Sequence, residues 1–172
     1  MKILGIDHGK NTGFGFIDCG KLTSYGRLII EGESTGDKML KFYSYIYDLV
    51  EICKPDIIVA EMPNHLRNAK TSRTLIGYYM IIHLIATMKG IHIVDAHPTS
   101  LKKVVAGDGR ASKEDVAKAI AKIHDVDIEN ILEHDYYKTG ERRGLVKETY
   151  YDTSDAIALA TYAKLKGEKK GK

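Results

Sequence analysis

The feature that most restricts this chain is the spacing of its first three apolar runs. "KILGID", "TGFGFID" and "KLTSYGRLII" read as strands, and the links between them are short. Cys19-Gly20 alone separates the second run from the third, and only the stretch around Gly9 separates the first from the second. A parallel neighbour needs a crossover of a dozen residues or more. These strands therefore pair as an antiparallel meander.

The pattern then changes period. From Asp37 to Cys53, apolar side chains at Leu40, Tyr43, Ile46, Tyr47, Val50 and Cys53 follow helical spacing, and Pro55 ends that helix. "DIIVAE" is a short buried strand finishing on Glu61. A helix over about 71–88 stops at Gly90, and "IHIVDA" is a fifth strand. Pro98 opens a short helix over "TSLKKVV", "GDGRA" is a loop, and Ser112 with Asp115 has capping-box spacing for a helix reaching about His124. Residues 125–150 read as a partly helical insertion with a mobile loop at "KTGERRG", and "DTSDAIALATYAKL" is the final helix. The order predicts one α/β domain over 1–166, with a basic tail over 167–172. Its core is a five-stranded mixed sheet, three antiparallel strands then two parallel, flanked by helices.

Four acids stand out against that frame. Asp7 ends the first strand and Glu61 the fourth, while Asp152 and Asp155 lie three apart at the start of the last helix. That spacing sets the pair on one face, roughly 5–6 Å apart. Taken singly, each has an ordinary explanation: a turn residue, a rim charge, two helix N-terminal acids. Together, at strand ends where such sheets open a crevice, they suit shared magnesium or manganese, which prefer oxygen ligands. Phosphodiester hydrolysis needs such an arrangement, with two ions about 3.5–4 Å apart.

Composition permits a polyanionic partner without demanding one. The chain has 26 basic and 23 acidic residues; with four acids engaged by metal, 19 remain to balance the 26. Cys19 and Cys53 form no CxxC pair, so no disulfide framework or zinc knuckle is suggested. His83, inside "YYMIIHLIATM", is most simply a packed helix residue. No signal peptide or membrane-spanning run is expected, which makes the cytoplasm the default location.

"GIDHGKNTGFGFI", "DIIVAEMP", "VVAGDGRASKEDV" and "DTSDAIALA", in that order, resemble the segments of the RuvC-type Holliday junction resolvases, nucleases of ribonuclease H-like fold. The resemblance implies a homodimer that binds four-way DNA junctions, in the cytoplasm at the nucleoid or in a host cell. It implies symmetric nicking of two strands with Mg²⁺, two ions per site, with Mn²⁺ substituting. Asp7, Glu61, Asp152 and Asp155 are the implied metal ligands and catalytic acids. Lys113 matches a lysine kept near the scissile phosphate, and Lys102 a basic residue of the DNA-binding face.

Physical chemistry bears on these cations too. A lysine in a helix's first turn opposes the helix dipole, so Lys113 either contacts a phosphate or is simply solvated. Arg110, Arg67 and Arg73 are further candidates for DNA backbone contact, or ordinary surface charge. The helix over 71–88 is apolar nearly all round, so either two layers cover it or it forms the dimer interface; the resemblance favours the dimer. Residues 62–74 contain no aromatic residue for stacking on an opened base, leaving His65 or Leu66 to serve. Gly13 and Gly15 leave room beside the second strand for a DNA strand or a neighbouring element, and His8 has no assigned role.

Three rivals remain at this level. One is a related nuclease of the same fold acting on flaps, RNA–DNA hybrids or structured RNA. Another is an ATP-binding module whose phosphate loop also begins "GIDxG", although that architecture needs two lobes. The third is a protein that binds branched DNA without cutting, against which four intact acids argue.

Overall fold

A computed structural model of the chain describes residues 1–63 and 69–170, with side chains described for 1–63 and 72–167. Strands β1 (Lys2–Asp7), β2 (Asn11–Asp18) and β3 (Lys21–Ile29) form the expected antiparallel meander. Helix α1 (Thr35–Cys53) leads to β4 (Ile57–Glu61), which pairs parallel with β1. Helix α2 (Ala69–Lys89) leads to β5 (His92–Ala96), parallel to β4. The sheet order is β3-β2-β1-β4-β5, so β1 is central and the chain reverses its winding there.

Alternation along β1 sends side chains to two separate cores. Leu4 and Ile6, with Phe16, Ile58 and Ala60, face α1 and α2 and meet Phe42, Ile46, Tyr78 and Ile82. Phe42 and Tyr78 stack with ring centroids 4.3 Å apart, joining the two helices. Ile3, Ile17 and Val59 point the other way, toward α3 (Pro98–Ala106), α4 (Lys113–His124) and α5 (Asp152–Lys170). Each fully buried aliphatic side chain contributes about 1.5–3 kcal/mol. β1 and β4, covered on both faces, read as apolar runs for that reason.

Helix boundaries follow their caps. Ser34 and Asp37 form a capping box that starts α1 two residues before the expected Asp37. Ser112 and Asp115 form the expected one for α4: the Asp115 amide donates to Ser112 Oγ at 3.1 Å and the Ser112 amide to Asp115 Oδ2 at 3.0 Å. Helix α5 continues to Lys170 rather than giving way to a tail after 166.

The segment 125–150 differs from expectation. Instead of a partly helical insertion it has one short 3₁₀ turn (Ile128–Asn130) and an antiparallel hairpin of β6 (Glu133–Tyr136) and β7 (Val146–Tyr150). Its residues are largely exposed on both sides, so they carry no apolar alternation by which a strand could be read. "KTGERRG" is the hairpin's loop, with Gly140 (φ +78°) and Gly144 (φ +84°) supplying its left-handed positions.

Candidate active site

Asp7 and Glu61 each end a strand, one residue past the paired Ile6 and Ala60 of neighbouring parallel strands. Both therefore emerge at the same edge of the sheet. Helix α5 brings the other two acids there because glycines let it lie directly on β1 and β2. A Cβ on Gly13 would stand 1.9 Å from the Asp152 carbonyl oxygen, and one on Gly5 2.1 Å from that of Ala156. The room expected beside β2 is thus filled by a neighbouring element, α5.

Asp7, Glu61 and Asp155 line a cleft of about 370 Å³ with Lys102, Lys113, Pro98, Leu101 and Val116. Burial holds the Asp7 carboxyl well above the usual carboxylate range, with Asp155, Glu61 and Asp152 adding to the shift and Lys113 opposing it. Burial likewise raises Glu61, with Asp155 adding and Lys113 opposing, and it raises Asp155 against the pull of Lys113. Burial depresses the Lys113 ammonium, but Asp155, Asp7 and Asp152 outweigh it, so its net shift is upward.

Two cations grip the acids of α5. Lys113 donates to Asp155 Oδ2 from the first turn of α4, the position where the helix dipole disfavours it. Arg27 on β3 sets Nη1 3.4 Å from Asp152 Oδ2 and also pairs with Glu133 of the hairpin. Its guanidinium lies 4.7 Å from the centroid of the Tyr150 ring. Sequence reading missed Arg27. Asp7 pairs with Gly13 and Gly13 with Arg27, so the three share one face of the sheet, but that pairing depends on a register shift between Phe16 and Ile17 that the sequence does not mark.

Among the described residues, no three His, Cys, Asp or Glu side chains already stand as a metal-coordinating group. The donor chemistry nevertheless fits a hard divalent cation. All four acids are oxygen donors, and the mutual repulsion and burial that raise Asp7, Glu61 and Asp155 are what such a cation relieves.

The other expected residues are scattered. Lys102 lines the cleft. Arg110 is exposed in the α3–α4 loop, where its amide donates to Asp108 Oδ1 at 2.9 Å. Arg73 is exposed on α2 and does not line the cleft; Arg67, His65 and Leu66 lie outside the described residues. His8 packs against Tyr79, ring centroids 5.7 Å apart, and burial lowers its pKa to about 4. His83 lies on α2 packed against Tyr79, ring centroids 4.5 Å apart; it is partly exposed and its Nε2 lies 3.1 Å from Asp95 Oδ1.

A sheet in this order, with acids at the ends of two neighbouring parallel strands and on the helix laid across them, defines a ribonuclease H-like fold. The family model described as crossover junction endodeoxyribonuclease RuvC matches residues 3–134, and the chain belongs to that family. The RuvC of Chloroherpeton thalassium is 31% identical over 169 residues, spanning 93% of this chain and 80% of its own. The Thermus thermophilus RuvC structure aligns with a TM-score of 0.75 at 17% identity, covering 99% of this chain and 97% of that one. The same protein in complex with a Holliday junction substrate aligns at 0.74 and 16% identity, covering 98% and 96%. At such identities the structural likeness speaks to the fold. The family match ends within β6, before most of the hairpin and before Asp152 and Asp155.

Proposed function

We propose that this chain is a structure-selective endonuclease that resolves four-way DNA junctions by paired, symmetric nicks. The observation that carries the reading is the convergence of Asp7, Glu61 and Asp155 with Lys102 and Lys113 on one cleft at the strand ends. Asp7, Glu61, Asp152 and Asp155 would hold two Mg²⁺ ions, with Mn²⁺ able to substitute. Bound there, the ions supply an activated water and charge stabilisation for the departing 3′ oxygen.

The chain's own residues do the remainder. Lys113 pairs with Asp155 and would turn its charge to a scissile phosphate bound in the cleft. Lys102 extends the positive edge of the cleft, and Arg110, Arg73 and Arg67 serve as backbone contacts farther out. Residues 1–166 act as one nuclease domain.

Helix α2 supports a two-fold assembly. Ile76, Met80, Leu84 and Met88 recur every four residues and are 49%, 56%, 52% and 60% exposed, on the face opposite buried Tyr78, Ile82 and Ile85. A continuous apolar stripe of this kind suits a second copy of the same helix, giving a C₂ homodimer with one cleft per strand to be cut. No helix among the described residues is long and apolar enough to cross a membrane. The proposed setting is the cytoplasm, with DNA.

The test is a cleavage comparison with Mg²⁺ among a synthetic four-way junction, a flap, an RNA–DNA hybrid and a linear duplex. Paired symmetric nicks confined to the junction are expected. Equal cutting of duplex and junction overturns the resolvase reading.

A further inference from the structure

The β6–β7 hairpin rises beside the acid cleft and carries charge that the nuclease site does not use. β7 ends at Tyr150 and α5 begins with Asp152, so the hairpin's root and the site's acid are two residues apart. Arg27 locks that root in place by bridging Glu133 and Asp152 and stacking on Tyr150. The Tyr150 hydroxyl adds contacts of 2.9 Å to Asp135 and 3.0 Å to Glu148. The acids at the root are therefore engaged within the fold.

The tip is different. Lys138, Arg142, Arg143 and Lys147 face one acid, Glu141, so residues 137–147 carry a net +3, the formal net charge of the entire chain. The other 161 residues balance at 22 basic against 22 acidic. All four cations are exposed, and among the described residues none is paired with an acid. The loop is nonetheless built: Tyr137 N donates to Leu145 O and Gly144 N to Tyr137 O, both at 3.0 Å, and Arg143 N donates to Gly140 O at 3.1 Å. The Arg142 guanidinium lies 5.9 Å from the Tyr137 ring centroid. At about 3.4 Å per residue, the five residues of β7 hold this tip roughly 17 Å out from the root. A hydrogen-bonded arm that concentrates all of a protein's excess positive charge next to a phosphodiester-cutting cleft fits the phosphates of a flanking duplex.

We infer that the β6–β7 hairpin is a DNA-gripping arm whose tip, through Arg142 and Arg143 with Lys138 and Lys147, binds the backbone of the duplex arm adjoining the strand to be cut. The inference rests on the nuclease reading above and adds a contact surface to it. The arm positions substrate and takes no part in chemistry, so its effect belongs to binding.

The experiment measures binding of a labelled four-way junction by fluorescence anisotropy in EDTA, over a salt series. The proteins compared are wild type, Arg142→Glu/Arg143→Glu and Glu141→Lys. The double reversal is expected to weaken binding at least about ten-fold. It should also reduce the slope of log K against log salt by about 2, one for each lost phosphate contact. Glu141→Lys is expected to tighten binding and steepen the slope. Because these side chains are exposed, circular dichroism and Tm should match wild type. Unchanged affinity and slope in both variants, with the wild type binding normally, overturns the arm and leaves the nuclease reading standing. A wild-type protein that binds no junction overturns both.

Discussion

Arg27 on the outermost strand of the meander reaches Asp152 at the head of α5, Nη1 to Oδ2 3.4 Å, while its other nitrogen pairs with Glu133 of the hairpin. One guanidinium, with its side chain only 13% exposed, thereby ties the sheet, a candidate metal ligand and the hairpin root together. Arg27→Met keeps the aliphatic stem and removes the charge. It is expected to lower stability by about 1–3 kcal/mol, because a half-buried carboxylate loses its partner. Urea denaturation checks this, and an unchanged midpoint counts against the bridge.

Asp7 offers a test of the cleft's electrostatics. Its carboxyl is raised by burial and by neighbouring acids, so the folded state holds its proton more tightly than the unfolded state. Stability is therefore unaffected below the unfolded value near 4 and is lost as pH rises through the higher folded value. Asp7→Asn should match wild-type Tm near pH 4 and exceed it increasingly toward neutral pH in EDTA, by roughly 2–4 °C per ~1 kcal/mol. Adding Mg²⁺ should stabilise wild type and not the variant. Calorimetry across pH, with and without metal, reads both effects.

Cleavage and binding should separate. Asp7→Asn and Glu61→Gln are expected to reduce junction cutting by about 10²-fold or more while leaving binding largely intact, since phosphate contacts supply most of the affinity. Lys113→Ala should behave similarly. Full cutting by the two acid variants would falsify the metal assignment.

Gly13 is a packing test. A Cβ there meets the Asp152 carbonyl at 1.9 Å, so Gly13→Ala must push the head of α5 off the sheet. The expected cost is about 1–3 kcal/mol together with loss of cleavage, because Asp152 and Asp155 move with the helix. A variant with wild-type Tm and activity rules out the close approach.

The stripe on α2 predicts its own assembly. Leu84→Glu, at a residue 52% exposed and opposite the core face, should leave the fold intact and yield a monomer by sedimentation. Paired nicks should then become single, uncoordinated ones. A variant that stays dimeric points the stripe to another role.

Much of the sheet was legible because local chemistry dictates it. The Cys19-Gly20 turn compels an antiparallel pair, period-2 and period-3.6 patterns separate strands from helices, and Ser112 with Asp115 marks where α4 begins. The hairpin was not legible, since strands exposed on both sides carry no alternation for burial to impose.

Asp7 and Glu61 could be read from sequence alone, because an acid that closes a buried strand has nowhere to go but the sheet's edge. Arg27 could not. Counting back from Asp18 opposite Lys21 sets Gly26 against Gly13, but the register shift between Phe16 and Ile17 moves Arg27 there instead. A bulge adds one residue to one strand, and with side chains alternating faces, one residue decides which side of the sheet a charge occupies. The residues alone settled the antiparallel meander and which acids close a buried strand, while the pairing of β4 with β1 came from the tertiary structure. The fold alone set Arg27 beside Asp152, because the bulge chooses the side of the sheet its charge occupies and the glycines beneath α5 bring Asp152 down to that face.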